Sequence, residues 1–432
     1  MLGFSLLSST PRRLFLLVIL TVVAFHYVLS MLHSDYSRLA SFSNLTEKWH
    51  MAHDRVFNAS AATVPPAFLI DPDFDFDSDL SLDEIPTETI TEVTTEMSTT
   101  TEVVESSEPT PGMLHPPKRA NATFVFLCRN SDLPGVITSI RQMEDRFNKN
   151  YGYPWVLLNE EPFTDEFKTR VQVLTDAPIH FGLIPYEDWY QPDWIDEDRA
   201  KAGRQQMKSK GIIYGGSVPY RNMCRFNSGF FFQHELLQPY RYYWRVEPGV
   251  QFFCDMTYDP FVFMQENNKV YSFTLSLIEW EPTITTLWST VKEFMKRHPQ
   301  YVHPDNSLGF LSDNGGNSYN LCHFWSNFEI ADMEFWRGEA YQKFFEHLES
   351  KGGFYYERWG DAPVHSIAAS LFASKDQIHF FRDIGYRHDP FQHCPSGDDW
   401  VRGRCSCDPK DTFDDAPNSC LRKFESLFVQ GS

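Results

Sequence analysis

The chain has 432 residues, a formal net charge of −20 and an aromatic content of 16%. The charge is unevenly placed, because residues 71–108 contain 13 acidic residues and no Lys or Arg. Such a run is typical of a solvated, self-repelling linker and not of an acidic binding face. No basic stripe is visible that would neutralise phosphates, so the sequence argues against nucleic acid as a partner.

The N-terminal segment has the pattern of a membrane anchor. Arg12 and Arg13 precede an uncharged, apolar run over residues 14–32, close to the roughly 20 residues needed to cross a bilayer as a helix. Positive charge on the N-terminal flank predicts a cytoplasmic tail over 1–13 and a lumenal remainder. A cleaved signal peptide is the alternative, although the run is longer than the usual apolar core and no convincing cleavage site follows it.

Residues 33–117 are predicted to form a stem. Thr, Ser and Glu dominate residues 86–111, and a segment with so few large apolar residues cannot bury enough surface to offset its chain entropy, so we expect disorder. N-glycosylation sequons begin at Asn44, Asn58 and Asn121 and agree with a lumenal placement.

Four of the eight cysteines lie close together in a C-terminal tail rich in Pro, Asp and Gly; they are Cys394, Cys405, Cys407 and Cys420. Such a tail has little core of its own, and disulfides would hold it. A zinc site is less favoured, because the one-residue spacing between Cys405 and Cys407 is shorter than that of common zinc motifs. The pairing of the cysteines does not follow from the sequence.

Residues 118–432 are predicted to form one α/β domain. Apolar runs over 123–127, 153–159 and 179–184 indicate buried strands, and helical periodicity covers 133–147 and 163–174. This alternation predicts a mostly parallel sheet covered by helices. Further strands are expected over 242–246, 270–277 and 378–381, and further helices over 285–297, 335–348 and 361–372. Asp132 or Ser131 would cap the first helix and Asp361 the last.

Polar residues follow two of these strands, at the edge where open α/β sheets bind ligands. Arg129 and Asn130 follow the first strand, and Arg129 would suit a nucleotide diphosphate or serve as a structural arginine on a loop. Glu247 ends the strand over 242–246, where it would hold a metal or form an ion pair with Arg245 or Arg225. The absence of a Gly-x-Gly-x-x-Gly or Walker loop after the first strand argues against dehydrogenases and P-loop enzymes.

Several long and unusual strings occur in order between residues 129 and 388. They include Arg129-Asn-Ser-Asp-Leu133, Tyr220-Arg-Asn-Met-Cys-Arg225, Tyr243-Trp-Arg-Val-Glu-Pro248, Cys322-His-Phe-Trp-Ser-Asn-Phe-Glu-Ile330 and Phe354-Tyr-Tyr-Glu-Arg-Trp-Gly-Asp361. These strings resemble the fungal α-1,2-mannosyltransferases of glycosyltransferase family 15. The match is far more specific than any short motif, because the strings are long and keep their order.

The resemblance implies a type II Golgi membrane protein with a lumenal catalytic domain of the GT-A type. It implies GDP-mannose as donor, manganese as metal, mannose-bearing O- or N-linked glycans as acceptors and an α-1,2 product formed with retention. The family's metal-binding carboxylate and histidine fall on Glu247 and His388. Its proposed nucleophile falls on Glu329, and a tyrosine close to the reacting centre falls on Tyr220.

The chemistry that these residues would perform is consistent with this expectation. A metal held by Glu247 and His388 would stabilise the leaving diphosphate, and mixed oxygen and imidazole ligation suits manganese. Glu329 would either attack the anomeric carbon or stabilise an oxocarbenium-like centre. The alternative for Glu329 is a buried, hydrogen-bonded structural carboxylate.

Other residues are candidates for binding the two substrates. Arg245 joins Arg129 and Asn130 as a candidate donor-binding residue. The candidates for the acceptor site carry aromatic rings or hydroxyl-binding groups; they are Trp325, Arg358, Trp359 and Asp361. Core packing for Trp359 and Trp325 and helix capping for Asp361 are the alternatives. For the whole protein, a catalytically inactive, lectin-like Golgi subunit and a glycoside hydrolase with two carboxylates are the competing hypotheses.

Overall fold

The structure is a computed structural model that describes residues 118–429. The predicted anchor over 14–32, the stem over 33–117 and the sequons at Asn44 and Asn58 lie outside the described residues. Within residues 118–429, no helix combines the length and the apolar character that crossing a membrane requires.

The described part of the chain alternates short strands and helices. The strands are β1 (Ala122–Leu127), β2 (Trp155–Asn159), β3 (Ile179–Leu183), β4 (Tyr242–Val246), β5 (Gln251–Phe252), β6 (Tyr271–Phe273), β7 (Ser276–Ile278), β8 (Cys322–Phe324), β9 (Glu329–Asp332), β10 (Ile378–Phe380), β11 (Tyr386–His388) and β12 (Phe391–His393). The helices are α1 (Leu133–Arg146), α2 (Asp165–Gln172), α3 (Tyr186–Trp189), α4 (Glu197–Ser209), α5 (Val218–Gly229), α6 (Pro260–Glu266), α7 (Leu287–Arg297), α8 (Leu308–Leu311), α9 (Met333–Arg337), α10 (Glu339–Glu349), α11 (Gly353–Tyr356), α12 (Asp361–Phe372), α13 (Gly397–Arg402) and α14 (Leu421–Val429).

The central sheet has seven strands in the order β10–β6–β9–β4–β1–β2–β3. β1 pairs in parallel with β2 and β4, β2 with β3, and β10 with β6. β9 runs antiparallel between β4 and β6. The prediction of a mostly parallel α/β sheet is confirmed. The structure adds β9, which was not predicted because the strand has only four residues and is polar at both ends.

Both faces of the central sheet are covered by apolar side chains. Phe124 and Trp244 lie in the core on one face, whereas Val125 and Tyr243 lie in the core on the other. Side chains alternate between the faces of a strand, so a strand that is buried on both faces reads as a continuous apolar run. This is why β1 and β4 were recognisable from the sequence.

Two predicted elements are split in the structure. The prediction of a single strand over 270–277 is wrong. This segment forms two strands, β6 in the central sheet and β7, which pairs with β8. The single helix expected over 335–348 is also wrong, because Gly338 adopts extended backbone with φ −65° and ψ 151° between α9 and α10. The local sequence pattern does not reveal that a segment changes its pairing strand, or that a single residue interrupts a helix.

The last predicted helix has the expected bounds, but its cap differs. Gly360 is the N-cap residue of α12, and the helix has no side-chain cap hydrogen bond. The expectation that Asp361 caps this helix is therefore wrong, because its carboxylate binds Arg245 and Ser326 instead. Asp132 does precede α1 as its N-cap residue, again without a side-chain cap hydrogen bond.

Three disulfides hold the C-terminal tail, as expected. Cys254–Cys405 and Cys322–Cys420 join the tail to the domain, and Cys394–Cys407 closes a loop within the tail. Because the first two cross-link residues far apart in sequence, they remove much conformational freedom from the unfolded chain.

Candidate active site

The turn after β4 is held tightly against α1. The Ser139 hydroxyl donates to the Glu247 carbonyl at 2.9 Å, and the Gly249 amide donates to the Gly135 carbonyl at 3.2 Å. A Cβ on Gly135 would lie 3.0 Å from the Pro248 Cβ and from the Gly249 nitrogen. The close approach that glycine permits here fixes the turn that carries Glu247.

A small second sheet brings His388 to Glu247. β11 pairs with β5, the strand that directly follows the Glu247 turn, and the His388 Nε2 atom lies 3.4 Å from the Glu247 Oε2 atom. The His388 Nδ1 atom lies 3.0 Å from the Asp389 carbonyl oxygen. Since a carbonyl only accepts hydrogen bonds, Nδ1 carries a hydrogen, and Nε2 faces the carboxylate.

Glu247 and His388 form a donor set that fits a divalent ion. They supply one carboxylate and one imidazole, a mixture typical of first-row transition metals, and an Nδ1 atom bound to a carbonyl is a common way to orient a ligating histidine. Between residues 118 and 429, no group of three or more His, Cys, Asp or Glu is arranged to enclose a metal. A site with two protein ligands leaves positions for water and for substrate oxygens.

Arg245 links two carboxylates at this edge of the sheet. Its Nη2 atom donates to Glu247 at 2.5 Å and its Nη1 atom to Asp361 at 2.6 Å, while the Ser326 hydroxyl donates to Asp361 at 2.7 Å. Burial alone would raise the pKa of Glu247, but the charge of Arg245 and the hydrogen bond from His388 outweigh burial and lower this pKa to about 2. Glu247 is therefore a carboxylate at neutral pH.

The ion pair that was the alternative prediction for Glu247 is therefore present in the structure. It does not prevent His388 from lying close to Glu247. Its partner is Arg245, because Arg225 binds Glu349 at 2.7 Å instead. For His388, burial disfavours the imidazolium, but Glu247 has the larger combined effect and raises the pKa of His388.

Glu329 lies opposite Arg245 in the register between β9 and β4 and has no exposed surface. Its Oε1 atom accepts a hydrogen bond from the Tyr243 hydroxyl at 2.7 Å. Its Oε2 atom lies 3.0 Å from the His365 Nδ1 atom. The carboxylate is thus enclosed by polar partners on β4 and α12, close to the Arg245 charge.

Tyr220 lies within a stack of side chains. Its ring packs on Tyr214 with centroids 4.4 Å apart and an interplanar angle of 9°, and the Arg358 guanidinium lies 5.0 Å from the Tyr220 centroid. Tyr214 has φ 54°, in the left-handed region, and Arg221 binds its carbonyl oxygen at 3.3 Å. Burial raises the pKa of Tyr220, so its phenol is neutral.

The two tryptophans differ in position. Trp359 has no exposed surface, donates to Glu357 at 2.8 Å and packs so closely on Gly353 that a Cβ there would lie 2.1 Å from its ring. This favours core packing over sugar stacking for Trp359. Trp325 is also buried, at 7% exposure, but its ring lies 5.0 Å from the His388 ring, edge to face, beside the candidate metal site.

Arg129 and Asn130 hold the loop that follows β2. The Arg129 Nε atom donates to Glu160 at 2.7 Å. Asn130 donates to the Pro162 carbonyl at 3.1 Å and accepts from the Thr164 amide at 3.0 Å. Their structural role is thus visible, and both lie at the predicted carboxyl edge of β1.

Several site residues were not predicted, namely Tyr214, Tyr243, Ser326 and His365. One signal was available for His365, because it lies four residues after Asp361 in α12 and residues at this spacing share one face of a helix. Tyr243 could not be identified from the sequence as a polar residue of the site, because its position fits the apolar pattern of a buried strand.

The mixed sheet, with ionisable side chains gathered beyond the carboxyl end of β4, places the protein in the glycosyltransferase class of α/β folds. The chain belongs to the glycolipid 2-alpha-mannosyltransferase family, whose pattern it matches over residues 81–428.

Named relatives and solved structures agree with this assignment. The chain is 54% identical over 310 residues to glycolipid 2-alpha-mannosyltransferase 1 of Candida albicans, covering 72% of each chain. It is 52% identical over 313 residues to the O-glycoside alpha-1,2-mannosyltransferase omh1 of Schizosaccharomyces pombe, covering 72% of this chain and 80% of that one.

Two solved structures resemble the described domain. The mannosyltransferase Ktr4p from S. cerevisiae in complex with GDP has a TM-score of 0.69 and 44% identity, covering 72% of this chain and 82% of that one. Core-mannan synthase A from Aspergillus fumigatus, in a Mn/GDP form, has a TM-score of 0.68 and 41% identity, covering 73% and 87%.

Proposed function

We propose that this chain is a retaining α-mannosyltransferase that moves mannose from GDP-mannose onto mannose-terminated O- or N-linked glycans in an α-1,2 linkage. The observation that carries the proposal is the 3.4 Å approach of His388 to Glu247 beside Arg245, at the sheet edge where α/β folds bind ligands. Relatives named as α-1,2-mannosyltransferases support the linkage, and the GDP complex of Ktr4p supports the donor.

Glu247 and His388 would hold the metal ion, and the Mn/GDP form of the Aspergillus relative supports manganese. A bound divalent ion supplies Lewis-acid stabilisation of the departing diphosphate. The side chains prepare this site in two ways. Arg245 keeps Glu247 ionised and oriented, and the Asp389 carbonyl holds the His388 ring so that Nε2 faces the carboxylate.

Arg245 serves the donor site through these contacts. Its two terminal nitrogens already bind Glu247 and Asp361, so its guanidinium connects the candidate metal ligand to α12. We propose Arg129 and Asn130 as donor-binding residues through the loop after β2 that they hold.

Retention of the anomeric configuration requires either a covalent intermediate or departure and attack on one face of the sugar. Glu329 has no exposed surface, and both of its oxygens have partners, Tyr243 and His365. We therefore favour a role in which the Glu329 carboxylate stabilises positive charge at the anomeric centre over direct attack by this oxygen. Tyr220, held by Tyr214 and Arg358, would line the reacting centre.

On the acceptor side, Trp325 is placed to contact a sugar near His388, since its ring is already packed against that histidine. Asp361 is bound to Arg245 and Ser326, and Arg358 lies over the Tyr220 ring; we propose both as acceptor-binding residues. Trp359 would support this surface from the core.

Incubation of the purified chain with GDP-mannose, Mn²⁺ and methyl α-mannoside tests the function. We expect GDP release and a disaccharide whose α-1,2 linkage is identified by NMR. Free mannose released from glycosides without any nucleotide sugar would indicate a hydrolase instead. Failure to form a mannoside from any nucleotide sugar, by a folded chain, would favour a catalytically inactive, lectin-like subunit.

We also propose that the protein is a type II Golgi membrane protein anchored by residues 14–32. The basic flank, the sequons and the three disulfides support a lumenal domain. Protease protection of the domain in intact Golgi vesicles, lost on adding detergent, is the expected result. Digestion without detergent would contradict this placement.

A further inference from the structure

The buried pair formed by Glu329 and His365 has hydrogen bonds that determine where its protons lie. Both side chains have no exposed surface, and neither belongs to the Glu247–His388 pair. On the β9 side, the Trp336 Nε1 atom donates to the Tyr243 oxygen at 3.0 Å. Tyr243 therefore directs its own hydrogen to the Glu329 Oε1 atom, because an indole N–H can only donate.

Tyr243 keeps this hydrogen at physiological pH. Burial, and then the neighbouring Glu329 carboxylate, raise the pKa of Tyr243 well above that of an ordinary tyrosine. The Oε1 atom of Glu329 is thus an acceptor, and any carboxyl proton of Glu329 has to lie on the Oε2 side, which faces His365.

The other nitrogen of His365 is equally constrained. Its Nε2 atom lies 3.0 Å from the Asn227 carbonyl oxygen, which only accepts, so Nε2 carries a hydrogen. The ring is clamped in this orientation by Trp336, which stacks on it with centroids 4.4 Å apart and an angle of 20°. One further proton therefore lies between the His365 Nδ1 atom and the Glu329 Oε2 atom, 3.0 Å apart.

The partners favour one position for that proton. A carboxylate that accepts hydrogen bonds on both oxygens is stabilised in its charged form, and charge-assisted hydrogen bonds are the stronger ones. We propose that His365 carries the shared proton as an imidazolium and is the positioning residue that keeps Glu329 an oriented carboxylate throughout mannose transfer. No bond to His365 is made or broken in the reaction, since the proton stays on Nδ1. This inference rests on the proposed function, in which Glu329 stabilises the anomeric centre.

The other groups around the pair do not replace His365 in this role. Arg245 on β4 faces Glu329, but it is bound to Asp361 and Glu247. The phenols of Tyr271 on β6 and Tyr341 on α10 also face the carboxylate, and burial raises the pKa of both, so they are neutral. The cation in contact with a Glu329 oxygen is thus His365.

The variant His365→Asn tests the proposal, because its side-chain amide can still donate towards Glu329 but carries no charge. We expect the acid side of the pH profile of kcat to move to higher pH by about 1–3 units, the effect of removing a contacting cation from a buried carboxylate. We expect KM for GDP-mannose to stay unchanged.

The matched control is His323→Asn in β8. His323 is also buried, at 2% exposure, but contacts no Glu329 oxygen, so we expect the acid side of the profile to stay in place. If His365→Asn lowers kcat equally at all pH values, His365 has only a structural role and the proposal is overturned.

A second measurement decides the question if His365→Asn fails to fold. In the full chain labelled with ¹⁵N-histidine, the His365 ring, identified by its nuclear Overhauser contacts with the Trp336 indole, should show two protonated nitrogens at neutral pH. An unprotonated Nδ1 would overturn the proposal. A wild-type chain that forms no mannoside would contradict the proposed function and leave this NMR result in place, so the two failures are distinguishable.

Discussion

Two carboxylate–histidine pairs in this domain differ in their access to solvent. In the pair of Glu247 and His388, the side chains are 22% and 18% exposed and the closest atoms lie 3.4 Å apart. In the pair of Glu329 and His365, both side chains are fully buried and the atoms lie 3.0 Å apart. The same two functional groups therefore suit different tasks, since an accessible pair can admit an ion and a buried pair can only hold a charge in place.

The surroundings of the two pairs explain this difference. Glu247 lies on the turn after β4, and His388 ends β11, the middle strand of the small three-stranded sheet. Glu329 and His365 lie in a central strand and a buried helix, where Tyr243, Trp336 and the Asn227 carbonyl satisfy the remaining hydrogen bonds. Arg245 is common to both regions, because it binds Glu247 and lies opposite Glu329.

Removal of Arg245 should have the largest effect, because it joins the two regions. Arg245→Met leaves the carboxylates of Glu247 and Asp361 without their cation, and breaking such a buried ion pair costs about 3–5 kcal/mol. We expect this loss in the free energy of unfolding measured by urea denaturation. The control Arg146→Met breaks a partly exposed pair with Asp255 and should cost no more than about 1 kcal/mol. Equal losses would show that Arg245 does not link the regions.

The variant Glu247→Gln tests the accessible pair of Glu247 and His388 independently of the buried pair. Loss of a residue that merely supports a metal ligand commonly lowers affinity 10–100-fold, so loss of the ligand itself should lower Mn²⁺ affinity by at least about a hundredfold. Isothermal titration calorimetry with Mn²⁺ and GDP measures this. Glu349→Gln, which disturbs a similar pair with Arg225, should leave Mn²⁺ affinity unchanged. An unaltered affinity in Glu247→Gln would remove Glu247 from the metal site.

Tyr243→Phe should affect the buried pair alone. The substitution leaves Trp336 without its acceptor and one Glu329 oxygen without its donor, at a cost of about 1–3 kcal/mol of unfolding free energy. Thermal and urea unfolding measure the loss, while Mn²⁺ affinity is expected to stay at the wild-type value. A decrease in Mn²⁺ affinity would mean that the two pairs are coupled more strongly than their contacts indicate.

The smallest effect is expected from the titration of Glu247. Its pKa falls from the ordinary 4.5 to about 2 on folding, so the folded chain binds this proton more weakly than the unfolded chain. The resulting stability is complete above about pH 4.5 and is lost as the pH falls towards about 2. Solvent reaches about a fifth of the side chain and reduces the effect. Unfolding free energies of wild type and Glu247→Gln should converge over this window, and parallel curves would contradict the assignment.

Local signals in the sequence were sufficient for much of the fold. The strand over Tyr242–Val246 and the helix over Asp361–Phe372 have the predicted bounds, because a doubly buried strand and a long apolar helix are recognisable from their own residues. β9 was missed, although it contributes Glu329 and lies in the centre of the sheet. Four residues with charged ends carry too weak a pattern, and only pairing with β4 and β6 makes them a strand.

The residues of the candidate site also divide into those that local sequence signals indicate and those that they do not. Glu247 stood out as a carboxylate at the end of a strand, whereas His388 could not be selected among 15 histidines by spacing and was identified through the family resemblance. That the two meet depends on the pairing of β11 with β5. His365 was missed because its partners, Glu329 and the Asn227 carbonyl, lie on other elements.

By itself, the sequence determined the alternating strands and helices, the disulfide-held tail, the carboxylate beyond β4 and the family resemblance. These properties depend on neighbours along the chain, through hydrophobic periodicity, composition and residue strings. The tertiary structure alone decided that His365 meets Glu329, that both Trp325 and Trp359 are buried, and how each cysteine pairs. Such contacts join residues far apart in the chain, and their energies depend on burial and on partners that no local pattern contains.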